Sequence, residues 1–365
     1  MTNTTNPGLE GVMVADTRIS DVDGERGRLV IAGADVEQLA QTASFEAAVA
    51  RVLDAGATRA LAVTPATLGA ARAAAWELVP RLGDALDQPD GMDALRAALG
   101  HLRATGEPGG AAPYGDDPAV AVAAIGAAPV FVAAWSRRRA GQPAVAPDPA
   151  LGHAADYLRM TLGRAGSADR VRALDAYLVT VIDHAMSAST FTARVIASTH
   201  ADLISAVVGA VGALKGPLHG GAPGPVLDML DAIGAPADAE ARLLGELAAG
   251  RRIMGMGHRV YRVRDPRAAV LEQAVRPLHS PRLELARAVE QAAARILRDR
   301  KPDRPLAANV EFFTAVLLDA VGLPREQFAP TFAVSRIAGW SAHVIEQHRT
   351  GRMIRPASRY VGELA

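Results

Sequence analysis

The stretch SPRLELARAVEQAAARIL, residues 280–297, has the pattern of a long amphipathic helix. Its apolar side chains recur three and four positions apart and would line one helical face: Leu285, Ala288, Val289, Ala292, Ile296 and Leu297. Ser280 followed by Pro281 is a favourable pair for a helix cap and first turn. The stretch therefore predicts a helix that starts next to Ser280.

The same periodicity dominates the rest of the chain. One apolar stripe precedes His184 and consists of Leu174, Tyr177, Leu178, Val181 and Ile182. Another consists of Phe312, Val316, Leu317 and Ala320, and Gly322 and Pro324 then end the helix. Alternation typical of a strand is brief and occurs at Arg28–Ile31. The sequence predicts an all-α protein whose helices are joined by many short connections.

Composition narrows the class of protein. The 365 residues suggest about two domains and are 50% hydrophobic, which is enough for a sizeable core. The 39 basic and 39 acidic residues cancel, which argues against a nucleic acid or an acidic membrane as partner. The sequence has no cysteine, which excludes disulfides, thiolate zinc sites and a cysteine nucleophile.

One segment has the length of a membrane span. Residues 118–136 carry no charge and are followed by three arginines, Arg137–Arg139. The segment is mostly alanine and valine, and Gly126 and Pro129 interrupt it, so we expect a buried core helix and no membrane partner. The polar N-terminus, Met1 to Gly11, lacks the apolar core of a signal peptide, and we expect a cytoplasmic protein.

Three histidine-containing segments stand out as candidates for chemistry. They are DHAMSAST (183–190), KGPLHGGA (215–222) and MGMGHRVY (254–261), the last running on to Asp265-Pro266-Arg267. Glycine beside a histidine lets a ligand approach the backbone closely. Glu311 has apolar neighbours that would raise its pKa, and Arg336 and Arg355 would suit the bidentate binding of carboxylates.

Taken singly, these residues support no function. A lone histidine is usually structural, Glu311 would also suit the first turn of a helix, and the arginines would also suit the surface. His184, His219, His258 and Glu311 are types that bind zinc, but they lack the close helical spacing of such sites. We therefore expect no metal site.

Taken together, the segments resemble the citrate synthase family. GPLHGGA, GMGHRVY ending in DPR, and NVEFF (309–313) occur in the family's order, and Asp183-His184 with Ala-Ser-Thr, Arg336-Ile-Ala-Gly-Trp and Arg355-Pro fit as well. The resemblance covers residues 151 to the end and is weaker before them. It implies an acyltransferase that joins acetyl-CoA to oxaloacetate and hydrolyses the thioester, with no permanently bound cofactor.

The resemblance also implies roles for individual residues. Glu311 would be the base, His219 the donor to the thioester oxygen and His258 the donor to the ketone. Four residues would bind oxaloacetate: His184, Arg267, Arg336 and Arg355. Gly255, Met256 and Gly257 would hold the CoA adenine.

The fold that the resemblance implies is a large helical domain, residues 1–232 plus 330–365, with a smaller inserted helical domain, residues 233–329. The smaller domain would carry His258 and Glu311, and its closure would complete the site and exclude water. In this family the last arginine crosses from a partner subunit. We therefore expect a homodimer in which Arg355 reaches the partner's site.

Three departures from the family's pattern bear on the chemistry. The base is usually aspartate and is Glu311 here, Ser187 stands where asparagine is common, and residues 31–35 lack an aromatic residue and an arginine often found there. Misplacement by ~1 Å can cost about a hundredfold in rate, so either the local backbone compensates for the longer acid, as we expect, or catalysis is impaired. The alternatives are a 2-methylcitrate synthase that uses propionyl-CoA, or a non-catalytic member that binds CoA or oxaloacetate.

Overall fold

The computed structural model describes residues 8–102, 118–220, 223–300 and 306–363. Across these ranges the chain folds mainly into α-helices, in agreement with the predicted fold class. The helices of the first half are α1 (Val36–Thr42), α2 (Phe45–Ala57), α3 (Pro65–Trp76), α4 (Gly91–Leu99), α5 (Pro118–Arg139), α6 (His153–Leu162), α7 (Ala168–Thr180), α8 (Ala188–Ala197) and α9 (Leu203–Leu214). Those of the second half are α10 (Pro223–Ile233), α11 (Ala239–Ala248), α12 (Pro266–Val275), α13 (Pro281–Arg300), α14 (Val310–Val321) and α15 (Phe328–Thr350).

A small antiparallel sheet precedes the first helix. Its strands are β1 (Ser20–Asp23), β2 (Arg28–Ile31) and β3 (Ala34–Asp35), in the order β1-β2-β3. Val30 of β2 pairs with Asp21 on one side and Asp35 on the other. The predicted strand at Arg28–Ile31 is confirmed as β2. Its two neighbours were not predicted, because β3 has only two residues and β1, Ser-Asp-Val-Asp, has a single apolar side chain, so neither shows alternation.

Two predicted helix ends are confirmed. Helix α13 starts at Pro281, directly after Ser280, and α14 ends at Val321, directly before Gly322, whose φ of 90° is the left-handed conformation that glycine adopts freely. The helix predicted before His184 was too long, because its pattern included Val181 and Ile182 whereas α7 ends at Thr180. Val181 and Ile182 are buried but lie in the connection to α8.

Helix α5 is a core helix, as predicted. Within the described residues it is the one helix long and apolar enough to cross a membrane, yet 83% of its apolar window is buried inside the protein. It packs on α3, α4 and α15. At Gly126 a side chain would collide with Ala71 of α3, so the glycine permits the close approach of the two helices.

Helix α15 is the central support of the molecule. It is buried over most of its length and packs against α2, α5, α8 and α9. Helices α12 and α14, which lie in the predicted smaller domain, both pack on α7 of the predicted larger domain. The division at residues 233 and 329 stays a prediction.

Candidate active site

The His184 segment lies on one face of α15. Arg336 donates from Nε to the Val181 carbonyl at 2.7 Å, and His343 lies with Nε2 3.3 Å from Oδ2 of Asp183. Between them, a side chain at Gly339 would overlap the Ile182 carbonyl oxygen. These three residues of one helix face therefore hold the segment that ends at His184.

The turn after His184 leads into α8. Ala185 has a φ of 47°, in the left-handed region, and its N–H donates to Ser20 Oγ at 2.8 Å. Ser187 caps α8 by accepting from the Thr190 N–H. Serine and asparagine are both good N-caps, so the change from the family's asparagine preserves this local structure.

His184, His258 and Tyr261 form a compact group of rings. The centroids of His184 and His258 are 5.5 Å apart, and those of His258 and Tyr261 are 4.8 Å apart. His184 Nε2 is hydrogen-bonded to the Tyr261 hydroxyl at 3.1 Å. Burial lowers the pKa of His184 well below its usual value, and the positive charge of Arg267 lowers it further, so the ring is neutral near pH 7.

The tautomer of His258 follows from its backbone contacts. Its Nδ1 accepts from the N–H groups of Val260 (3.0 Å) and Tyr261 (3.2 Å), so the proton of the neutral ring lies on Nε2. Burial lowers the pKa of His258 to about 4, Arg267 acts in the same direction, and Asp265 opposes them. His258 is thus a neutral imidazole with one N–H to donate.

His219 is oriented in the same way by Ser189. The Ser189 N–H donates to Nε2 at 3.3 Å, and the Ser189 hydroxyl lies 2.8 Å from the same atom. The Trp340 indole N–H donates to that hydroxyl at 3.2 Å. Nε2 is therefore an acceptor, and the proton lies on Nδ1. Burial lowers the pKa of His219 to about 4, with a further contribution from Arg336, so this ring is neutral as well.

Glu311 lies in the first turn of α14 and is only 8% exposed. Asn309 caps the helix by accepting the Glu311 N–H at 3.0 Å. Burial raises the pKa of the carboxyl group to about 7, although Arg267 and Arg336 counteract it. A carboxyl group with this pKa can both accept and release a proton near neutral pH, as a general base must.

The Asp265 carboxylate binds both the side chain of Arg267 and the backbone next to Glu311. Asp265 binds the Arg267 guanidinium through two contacts, Nε to Oδ1 at 3.0 Å and Nη2 to Oδ2 at 2.7 Å. Its Oδ2 also accepts the Val310 N–H at 3.1 Å. Since Val310 precedes Glu311, Asp265 joins the start of α12 to the start of α14.

Two buried polar atoms in this region, Glu311 Oε2 and Arg336 Nη2, have no hydrogen-bond partner among the described residues. The buried hydroxyl groups of Tyr177 and Thr314 lie side by side next to them. The charges of Glu311 and Arg336 both influence the pKa of Tyr177, which burial raises well above its usual value, so these groups lie close together. Buried polar groups are normally paired, and this cluster is therefore suited to polar groups brought by a ligand.

The Gly255–Gly257 loop is fixed to the strand-like segment before α14. The Gly257 N–H donates to the Ala307 carbonyl at 2.7 Å, and Asn309 donates from its N–H to the Gly255 carbonyl at 2.9 Å and from Nδ2 to the Gly257 carbonyl at 2.8 Å. Both glycines have positive φ, and a Cβ at Gly257 would lie 2.8 Å from the Leu306 side chain. The glycines thus have a structural role, and the predicted contact with CoA stays a prediction.

The structure brings together six of the seven residues predicted for catalysis and oxaloacetate binding. His184 is influenced by Arg267, His258, Arg336 and His219, and Glu311 by Arg267 and Arg336. Arg355 is exposed in the extended segment after α15 and does not join them within one chain. Sequence reasoning assigned no role to Asp265, Tyr261, Ser189 or Trp340. All four lie inside the sequence motifs quoted above, and no other feature of the sequence marked them as functional.

No three histidine, aspartate or glutamate side chains in the described ranges are grouped as a metal site would require. The cluster instead combines two neutral imidazole donors, a carboxyl group with a pKa near neutrality and two buried guanidinium groups. Such a set can bind a dianionic keto acid, polarise two carbonyl oxygens and remove a weakly acidic proton.

Comparison with known sequences agrees with this geometry. The family model for the citrate synthase C-terminal domain matches residues 8–357. A putative citrate synthase 2 from Mycobacterium tuberculosis is 40% identical over 98% of this chain and 92% of its own length. The citrate synthase of Deinococcus radiodurans is 37% identical, covering 97% and 95%. A 2-methylcitrate synthase of M. tuberculosis is 36% identical, covering 97% and 90%.

Solved structures show the same fold. The citrate synthase of Thermotoga maritima superimposes with a TM-score of 0.83 at 31% identity, over 99% of this chain and 97% of its own. The citrate synthase of Thermoplasma acidophilum, in a ternary complex with carboxymethyl coenzyme A and oxaloacetate, gives 0.85 at 27% identity over 98% and 96%.

Proposed function

The chain belongs to the citrate synthase family, and we propose that it is an acyltransferase that condenses acetyl-CoA with oxaloacetate and then hydrolyses citryl-CoA to citrate and CoA. The observation that carries the proposal is the arrangement around Glu311. A buried, unpartnered carboxyl oxygen with a pKa near 7 lies in one cluster with two neutral imidazole donors and two guanidinium groups.

The first step removes a proton from the methyl carbon of acetyl-CoA. We assign this step to the Glu311 carboxylate, while the Nδ1–H of His219 donates to the thioester oxygen, which gains negative charge as the enol forms. A neutral donor suits this task, because it stabilises charge that develops at the oxygen without having to be protonated first. The contacts of Ser189 with Nε2 support the assignment, since they leave Nδ1–H free to donate.

The second step forms the carbon–carbon bond. The enol carbon attacks the ketone carbon of oxaloacetate, and the ketone oxygen takes the Nε2 proton of His258. The substrate's two carboxylates require cationic partners, and Arg267, Arg336 and the partner's Arg355 are assigned to them, with His184 adding a hydrogen bond. Burial lowers the pKa of Arg336 to about 10, so it remains charged at neutral pH.

The last step is attack of water on the thioester carbonyl of citryl-CoA. The attacking water returns a proton to Nε2 of His258, and the Glu311 carboxyl group gives its proton to the departing sulfur, which releases the CoA thiol and restores both residues. Closure of the smaller domain would keep water out until citryl-CoA has formed. We propose no resident cofactor, and the Gly255–Gly257 loop is assigned to the CoA adenine. A homodimer and a cytoplasmic location also belong to the proposal.

The acyl-CoA substrate has two candidates, acetyl-CoA and propionyl-CoA. A relative that is 36% identical is named a 2-methylcitrate synthase. One methylene changes discrimination in an apolar pocket by only ~1–3 kcal/mol, so both acyl-CoAs are candidate substrates.

Thiol release by the purified protein, with oxaloacetate and either acetyl-CoA or propionyl-CoA, tests the proposal. We expect oxaloacetate-dependent CoA release, with kcat/KM higher for acetyl-CoA. A higher kcat/KM for propionyl-CoA would identify a 2-methylcitrate synthase. A thermal shift with oxaloacetate or CoA but no thiol release from either acyl-CoA would overturn the proposal and identify a non-catalytic member.

A further inference from the structure

A buried ionic network lies behind the His184 segment, outside the set of groups assigned to substrates. At its centre, Asp183 and His343 are both fully buried, and His343 Nε2 lies 3.2 Å from one oxygen of Asp183 and 3.3 Å from the other. His343 Nδ1 accepts from Arg194 through Nε (3.1 Å) and Nη2 (2.8 Å). The histidine proton therefore lies on Nε2 and is donated to Asp183.

Asp183 faces three donors on different elements. Besides His343 of α15, they are the Ser20 hydroxyl of β1 and the Ala185 N–H at 3.1 Å. Burial alone would raise the pKa of Asp183, but His343, Arg336 and the Ser20 hydroxyl outweigh it and hold the pKa below the usual value. Asp183 is thus an anion that joins the β1 strand and α15 to the turn after His184.

That turn is strained. Ala185 has a φ of 47°, in the left-handed region that a residue with a Cβ rarely adopts. Its N–H is held by both Ser20 Oγ and Asp183 Oδ2. A strained residue persists only where its surroundings enforce it, and here the enforcing groups are the Asp183 carboxylate and the hydroxyl that it binds.

The support for this arrangement extends to both ends of the described chain. Arg194 also binds Glu346 and donates from Nη1 to Gln347 Oε1 at 3.0 Å. Glu346 accepts the Arg18 N–H at 2.8 Å, just before Ser20, and Gln347 donates to the Arg352 carbonyl at 3.0 Å. His343, which binds Asp183, is therefore held by a buried network that reaches the segment before β1 and the segment after α15.

We propose that Asp183, oriented by His343 and Ser20, is a positioning residue that enforces the strained Ala185 turn and thereby aims the His184 imidazole at the oxaloacetate site. The inference rests on the proposed function in one respect, the assignment of His184 to oxaloacetate. It predicts that loss of the carboxylate impairs oxaloacetate binding rather than proton removal from the acyl-CoA.

Asp183→Asn keeps the size of the side chain but removes its charge and turns an N–H₂ group toward donors. We expect the KM for oxaloacetate to rise tenfold or more, kcat to fall less than threefold, and the KM for acetyl-CoA to stay unchanged. Ser20→Ala removes the hydroxyl that bridges Asp183 and Ala185, and it should raise the same constant to a smaller extent. If Asp183→Asn does not fold, the oxaloacetate KM of Ser20→Ala tests the inference instead. Asp87→Asn, at an exposed ion pair with Arg138, is the matched control and should change neither constant.

Ala185→Gly separates enforcement of the turn from a general loss of stability. Glycine adopts a positive φ without strain, so the turn needs less enforcement. In the Ala185→Gly background, Asp183→Asn should raise the oxaloacetate KM at least threefold less than it does in the wild type. Equal effects in the two backgrounds, an unchanged oxaloacetate KM, or a parallel loss of kcat and of the melting temperature would overturn the inference.

Calorimetric titration with oxaloacetate distinguishes failure of the inference from failure of the proposed function. A wild-type protein that binds oxaloacetate without thiol release would refute the proposed reaction, and the inference would still require weaker binding by Asp183→Asn. A wild-type protein that neither reacts nor binds oxaloacetate would refute both.

Discussion

The imidazole rings of His184 and His258 lie nearly edge to face, with their centroids 5.5 Å apart and their planes at 71°. His184 follows α7, and His258 lies in the loop before α12. The Tyr261 hydroxyl binds His184, and the Tyr261 N–H binds His258, so one residue links the two rings. Two neutral imidazole rings therefore lie side by side in the cluster.

Replacement of His258 should remove nearly all condensation activity. His258→Ala removes the only proton donor assigned to the ketone, and loss of such a donor typically costs 10²–10⁴ in rate. We expect kcat for thiol release to fall by about 10³, with an unchanged far-ultraviolet circular dichroism spectrum. His101→Ala, at an exposed histidine, is the control. Turnover by His258→Ala at the wild-type rate would refute the assigned role.

The pH dependence of turnover should report Glu311. Its carboxyl group must be ionised to act as a base, and its pKa is raised to about 7. Because the base is the deprotonated form, kcat/KM for acetyl-CoA should rise with pH and level off above about pH 8. A rate that is flat between pH 5.5 and 8 would contradict this assignment.

The length of the Glu311 side chain gives a separate prediction. If the local backbone compensates for the extra methylene, Glu311→Asp withdraws the carboxylate by about one bond length and should lower kcat by about a hundredfold. Glu311→Gln should lower it to background. Single-turnover measurements with acetyl-CoA and oxaloacetate check both values. Higher activity in Glu311→Asp than in the wild type would show that the longer acid impairs the reaction.

Asp175 should make the stability of the fold depend on pH. It accepts the Phe45 N–H at 3.1 Å at the start of α2, and burial together with the negative charge of Glu46 raises its pKa to about 6. The folded state then binds the proton more tightly than the unfolded chain, in which the pKa is near its usual value. The free energy of unfolding therefore falls as the pH rises from about 4 through 6.

Asp175→Asn removes this dependence and keeps an oxygen for the Phe45 N–H. We expect the variant to be more stable than the wild type by about 1 kcal/mol at pH 7.5, after allowance for partial exposure, and to have no such advantage at pH 4. Urea unfolding at the two pH values measures the difference. A stability difference between Asp175→Asn and the wild type that is the same at pH 4 and pH 7.5 would refute the raised pKa of Asp175.

The helices and most of the active-site cluster could be predicted from the sequence because both depend on local pattern. The apolar stripe of α13 starts after a serine–proline cap, and His219 and His258 lie in glycine-containing segments that are readable as motifs. The end of α7 was misjudged because Val181 and Ile182 are buried without being helical. Apolar spacing reports burial, and it does not report where the backbone leaves the helix.

The residues that orient the proposed catalytic groups could not be predicted from the sequence. His343 acts on Asp183, and Trp340 acts on Ser189, across about 150 or more residues of sequence. Their role depends on the close packing of α15 against the connection between α7 and α8. No local pattern encodes such a contact, and a histidine or tryptophan within a helix is by itself typical of core packing.

Complementation between two impaired variants tests whether Arg355 acts in a partner's site. Arg355 is exposed, whereas the preceding Ile354 donates its N–H to Ser198 Oγ at 3.0 Å, so the chain is anchored just before this arginine. Arg355→Ala should raise the oxaloacetate KM at least tenfold. In a heterodimer of Arg355→Ala and His258→Ala, crossing would leave one site with both residues intact and the other with neither. At oxaloacetate concentrations well below the KM of Arg355→Ala, re-equilibrated equal mixtures should then regain about a quarter of the wild-type activity, because half of the dimers are mixed and each holds one complete site. A mixture no more active than its two components would place Arg355 in its own subunit's site or outside any site.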